Sequence, residues 1–168
     1  MAEHHTTPRP LRLFLGHSAD DKARVRELYE RLCDEGLQPW LDEEDLLPGQ
    51  HWQHEIPKAV RAADVVLVCL SQAALDRAGY LNKEIILALD AADQHPEGSI
   101  YVIPVRLEPC ELPERLRHLH SVNLYEERGY RRLMRALHAR AAEVGLTDGG
   151  DHVPTDVPIA DTPASPPP

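Results

Sequence analysis

The side chains able to do chemistry gather in three short stretches: Gly16-His17-Ser18-Ala19-Asp20, the DEEDLLPG string at residues 42–49, and residues 71–84, from Ser71 to Glu84. Hydroxyls, an imidazole and several carboxylates suit nucleophilic, acid–base or charge-stabilising work, and each of these has a spacing that tests it. Cradling a phosphate needs a GxGxxG or GxxxxGK[ST] loop whose backbone N–H groups face the anion, and neither string occurs. A serine nucleophile needs a sharp GxSxG-type turn with a histidine and an acid to take its proton, and Ser18 and Ser71 come with no such turn. The ten histidines group only as His4-His5, His51/His54 and His118/His120, without HExxH or CxxC spacing, so they read as solvated surface residues and no metal is expected.

Whatever these stretches do, regular elements must hold them. The apolar run at residues 11–15 is too short for a helix and ends in a Gly-His-Ser turn, which predicts a strand finishing near Gly16. Ser18 or Asp20 then caps a helix with Val25, Leu28, Leu32 and Cys33 as its apolar positions, and Gly36 suits a left-handed terminator. A second strand is expected at residues 38–42. The helix after it, over residues 51–62, turns Ile56, Ala59, Val60 and Ala63 inward and tolerates Pro57 only in its first turn. Residues 65–70, VVLVCL, read as a central strand buried on both faces.

Leu81, Ile85, Ala88, Leu89 and Ala92 mark a third helix. A fourth strand is expected over residues 100–107, irregular or at an edge because of Pro104, and a fifth over residues 121–125. Tyr130, Leu133, Met134, Leu137 and Ala141 mark a last helix, on which Arg128, Arg131, Arg132, Arg135 and Arg140 read as a solvated charged face, with docking on an acidic partner as the alternative. Alternating strands and helices predict a parallel sheet covered on both faces, with ligands beyond the carboxyl ends of its strands. The three chemical stretches lie at those ends.

The chain has 168 residues, enough for one domain, and 28 Asp and Glu against 18 Lys and Arg give a net charge of −10. That charge repels nucleic acid and anionic lipid headgroups, so neither is expected as a partner. No apolar stretch approaches the roughly 20 residues of a membrane span, and residues 1–10 lack the apolar core of a secretion signal. Cys33, Cys69 and Cys110 form no CxxC pair, which fits a reducing, cytoplasmic setting. Residues 1–10 and the Pro- and Asp-rich residues 143–168 read as disordered tails, the second equally as a linker to a further domain, around a domain at residues 11–142.

The strings FLGHSADDKARVRELYERL, WLDEEDLLPG, DVVLVCLS and GYLNKE, in this order and spacing, resemble the Toll/interleukin receptor (TIR) domain family of bacterial type, over about residues 11–140. The resemblance implies a flavodoxin-like α/β fold with a five-stranded parallel sheet. Some members of that family are interaction modules and others break the nicotinamide–ribose bond of NAD+, using a glutamate on the helix after the third strand; Glu84 occupies that place. The chemistry is coherent, because nicotinamide leaves as a neutral base without a general acid while one carboxylate stabilises the oxocarbenium-like ribosyl centre. NAD+ is thus substrate, and no separate cofactor is implied.

Tyr80, where the family most often has Trp, matches an aromatic contact to the substrate or closes the helix's first turn; Ser71 binds ribose, positions Glu84 or caps a helix. Asp42 matches an acidic pocket position, while Glu43 and Glu44 read as solvated. His17 and Ser18 keep the character of the first-strand motif, and Gly16 replaces a serine often found there, losing a hydroxyl but permitting close approach of a ligand. Leu46, Leu47, Pro48 and Gly49 match the loop through which family members meet the next protomer, unless the leucines tuck against Trp40 or Trp52. The implied function is a self-assembling NAD+ glycohydrolase or ADP-ribose cyclase serving bacterial defence. The rival is a non-catalytic TIR–TIR module; a receiver-like phosphorelay domain would need an acidic cluster at the first strand, where this chain has Gly-His.

Overall fold

Strand β3 (Val65–Leu70) buries every one of its side chains, as a strand covered on both faces must. The computed structural model describes residues 9–41, 47–76 and 80–146, with the side chains at 52–53 and 80–84 outside the description. Around β3 the chain forms β1 (Arg12–Gly16), α1 (Lys22–Asp34), β2 (Gln38–Trp40), α2 (Trp52–Ala62), α3 (Gln72–Asp76), α4 (Tyr80–Ala92), β4 (Val102–Arg106), β5 (Val122–Asn123) and α5 (Gly129–Glu143). The strands are parallel and ordered β2-β1-β3-β4-β5, the flavodoxin-like arrangement expected.

Alternation along the strands divides the core in two. Leu13, Leu15, Leu67, Cys69 and Val105 pack with Leu28 and Leu32 of α1 and Leu133 and Leu137 of α5. Phe14, Val66, Val68 and Leu70 pack on the opposite side with Ile56 and Val60 of α2 and Ile85 and Ala88 of α4. Gly36, at φ 85°, ends α1 in the left-handed conformation a glycine adopts without strain.

Four expectations are corrected. Cys33 is exposed; eight residues beyond Val25 it is turned by about 80° on the side away from Leu28, off the buried stripe. Pro57 is the sixth residue of α2 and so beyond its first turn; the helix survives the missing N–H because Ile56 and Val60, exposed by only 3% and 1%, anchor it to the sheet. Pro104 sits in β4, an inner strand paired with both β3 and β5. Its nitrogen faces the β5 side, as the Leu124 N–H bond to the Arg106 carbonyl two residues on indicates, and β5 begins only opposite Val105, so no ladder bond is lost there.

The fourth correction is Arg140, which is 3% exposed and lies apart from the solvated arginine face. Its Nε donates to the Asp64 carbonyl at 2.7 Å and its Nη1 meets Glu143 at 3.0 Å. Arg9, within the stretch read as a tail, donates to both carboxylate oxygens of Asp64 at 2.6 and 2.9 Å, and the Arg12 N–H adds a third bond at 2.8 Å. A buried carboxylate must be matched in this way, whatever the local sequence suggests.

Burial alone would raise the Asp64 pKa; the hydrogen bonds from Arg9 and the Arg12 N–H prevail and hold it below the ordinary 3.8. A depressed folded-state pKa contributes stability above the unfolded value and loses it as pH falls through the folded one. Asp64→Asn is therefore expected to cost about 1–2 kcal/mol at neutral pH, part of it discounted because the Arg9 side chain is half in solvent. Thermal unfolding of both proteins from pH 7 downward checks this: the gap should stay constant to about pH 4 and close below it. A gap that widened with acid would contradict the assignment.

Candidate functional site

In this strand order the direction in which successive strands are added to the sheet reverses between β1 and β3, and ligands of doubly wound sheets gather in the crevice that opens there. Gly16, His17 and Ser18 leave β1 at this crevice and all are buried, so His17 corrects the reading of the histidines as solvated. The His17 Nδ1 is 2.9 Å from the Ser18 carbonyl, an acceptor that calls for an N–H at that ring nitrogen. Ser18 caps the 3-10 turn Ala19–Asp21 by accepting the Asp20 N–H at 3.3 Å.

Ser71 leaves β3 on the other side of the crevice and is fully buried. Its Oγ accepts the Ala74 N–H at 3.1 Å, capping α3, and donates to the Asp21 carboxylate at 2.6 Å. Of the readings open for Ser71, capping is the one its hydrogen bonds display. Asp21, 1% exposed, also receives Arg24 at 2.7 Å. The other arm of Arg24 reaches Glu108, beyond β4, at 2.9 Å, and Glu108 accepts the Gln72 N–H at 3.0 Å. Those bonds, the Gln72 N–H first and Arg24 next, hold the Glu108 carboxyl below its usual range.

One hydrogen-bonded chain thus ties the loops after β1, β3 and β4. Its three charged members, Asp21, Arg24 and Glu108, carry no motif that singles them out in the sequence. The Asp20-Asp21 doublet was the available signal, but nothing local distinguishes the solvent-facing acid from the buried one.

α4 begins at Tyr80, so Tyr80 and Glu84 lie one turn apart in a single helix, where residues four apart share a face. Their side chains lie outside the described ones, as do Asp42 and Leu46 altogether. Leu47 is 62% exposed, and Trp40 stacks on Phe14 with centroids 5.4 Å apart; the Trp52 side chain lies outside the described ones. Pro48 and Gly49 are exposed beside Leu47. A cleft of about 260 Å³ lined by Arg12, Gln38, Trp40 and Lys58 lies on the flank of β2 and α2, away from this site. Among the described residues no three His, Cys, Asp or Glu stand together as metal ligands, and no helix is long and apolar enough to cross a membrane.

A TIR-domain family model matches residues 13–134. Solved structures with similar architecture include the TIR domain of the Toll-related receptor TRR-2 from Hydra magnipapillata, at 19% identity and TM-score 0.63 over 74% of this chain and 96% of that one. A TIR-STING receptor from C. gigas in complex with 2',3'-cGAMP matches at 24% identity and TM-score 0.62, over 74% of this chain and 38% of the receptor. A CMP N-glycosidase from Clostridium botulinum, BcmB, matches at 17% identity and TM-score 0.51, over 74% of this chain and 97% of that one. Comparison with curated proteins gave no match.

Proposed function

Because this chain belongs to the TIR domain family, we propose that it is an NAD+ glycohydrolase that breaks the nicotinamide–ribose bond, with Glu84 as the catalytic carboxylate. The observation that carries the reading is the position of Glu84 one turn inside α4, the second helix after the buried strand β3, beyond Ser71 and the short α3. Ligands of such sheets gather beyond the carboxyl ends of the strands, and there a carboxylate can stabilise a ribosyl cation. That a related fold serves an N-glycosidase acting on CMP supports the reaction class, cleavage between a base and a ribose carbon.

In this mechanism nicotinamide departs as a neutral leaving group, the anomeric carbon becomes electron-deficient, and the Glu84 carboxylate stabilises that charge until water, or an adenine nitrogen of the same molecule, captures it. Tyr80 and Asp42 are assigned to substrate contact. His17, Ser18 and Gly16 form the buried floor of the crevice, and Ser71 acts as a positioning residue through Asp21 and the cap of α3. NAD+ is the substrate, no metal or further cofactor takes part, and the protein works in the cytoplasm as the effector portion of a bacterial defence protein with a sensor domain or partner.

Self-association through the Leu46–Leu47–Pro48–Gly49 loop completes the reading, supported by the exposure of Leu47, since an apolar side chain left in solvent marks a contact. A loop that meets a different surface on its neighbour gives a heterologous, open-ended assembly. The same exposure favours a second reading, a TIR–TIR interaction module without catalysis. Nicotinamide release measured across a protein concentration series separates them: the enzyme releases it more than proportionally to concentration, the module releases none even when assembled. Leu47→Asp is expected to lower release about tenfold at a concentration where the wild type is half assembled, by emptying the assembled population. Light scattering on the same samples should show fewer assemblies; unchanged assembly would remove Leu47 from the contact.

A further inference from the structure

Helix α5 carries two kinds of arginine. Arg140 is buried and bonded, whereas Arg128, at the helix's N-cap, and Arg131, Arg132 and Arg135 are all exposed and pair with no carboxylate among the described residues, although Glu126 and Glu127 adjoin them. Spacings of three, four and seven place these guanidinium groups along one outward stripe. They line a shallow groove of about 560 Å³. Glu126 and Glu127 line the same groove but are outnumbered by the four arginines, and that cationic excess on a chain of net charge −10 attracts an acidic occupant.

We propose that the occupant is the C-terminal segment of the same chain, residues 147–168, with its aspartates pairing with the arginine stripe. Charge complementarity is the first argument: the segment holds Asp148, Asp151, Asp156 and Asp161 and no Lys or Arg. Reach is the second. α5 closes with the Leu146 N–H on the Ala141 carbonyl at 2.7 Å, the Gly145 N–H on the Ala142 carbonyl at 3.1 Å, and Gly145 at φ 77°. This cap turns the chain off the helix axis, so it does not continue away along it. From there Arg135 lies about 15 Å back along the helix and Arg128 about 25 Å. Five extended residues span up to about 17 Å and ten up to about 35 Å, which brings Asp151 to the near end of the stripe and Asp156 to the far end.

The third argument is competition. A segment joined to the helix it covers is present at an effective concentration of order millimolar, which a second copy's acidic surface reaches only at millimolar protein.

The test uses the full chain, labelled with nitrogen-15, beside a variant carrying Asp148→Asn, Asp151→Asn, Asp156→Asn and Asp161→Asn, which leaves the folded core untouched. In about 20 mM salt the Nε–Hε resonances of Arg128, Arg131, Arg132 and Arg135 should differ between the two proteins. The difference should fade at about 300 mM, where the screening length is shorter than the groove, and should not depend on protein concentration. Reciprocally, Arg131→Gln with Arg135→Gln should shift the amides of residues 148–161. Identical arginine resonances at low salt overturn the proposal. A difference that grows with protein concentration overturns it too, in favour of a second copy as occupant.

Discussion

Glu84→Gln is expected to reduce nicotinamide release from NAD+ by about 10²–10³-fold, the usual effect of removing one preorganised group that stabilises transition-state charge. The substitution keeps size and hydrogen-bonding capacity and takes away only the negative charge, so its effect belongs to the developing ribosyl cation and leaves substrate binding nearly intact. The expected signature is therefore a fall in kcat with KM little changed. Assembly should persist, since the proposed contact loop is a separate segment. Steady-state release with light scattering on the same samples checks both. Activity surviving in the variant would keep the enzyme and remove Glu84 as its carboxylate; absence of activity in both proteins, with assembly intact, would favour the interaction module.

The largest stability effect is expected at Asp21, a residue that touches no proposed substrate position. Its carboxylate joins the loop after β1 to the loop after β3 through Ser71 at 2.6 Å and holds Arg24 at 2.7 Å. Asp21→Ala leaves a fully buried hydroxyl without its acceptor and turns Arg24 wholly toward Glu108, at a cost of about 2–4 kcal/mol. Urea unfolding should show a lower midpoint with an unchanged slope. A double-mutant cycle with Ser71→Ala isolates the shared bond, and a coupling of about 1 kcal/mol or more is expected because the two side chains are in direct contact. Strict additivity would mean that the junction is held by the surrounding packing alone. Loosening it should also lower activity, because the crevice walls are then no longer fixed to each other.

Much of the architecture is legible in the chain itself. The unbroken apolar string of β3, the three-and-four spacing of Val25, Leu28 and Leu32, and Gly36 after α1 are local signals, and each element obeys them. Local signals succeed because backbone preference and the side to be buried are both written within one or two turns of chain. That Glu84 stands on a helix between β3 and β4 was equally readable; that this helix begins at Tyr80, after a separate short α3, was not. The order of the strands was not, since periodicity tells which face of a strand is buried without naming its neighbour.

Polar burial was least legible of all. Asp20 and Asp21 are adjacent and chemically alike, yet only Asp21 meets Ser71, fifty residues away. Arg140 resembles the other arginines of its helix until the Asp64 carbonyl, seventy-six residues distant, gives it a buried partner. Pro104 resembles an edge residue until the late start of β5 leaves its missing N–H without consequence. The sequence by itself determined the elements and their buried stripes, through short-range sterics and apolar spacing. Only the tertiary structure decided which charges go inside, because a charge leaves water only where distant parts of the chain supply its partners.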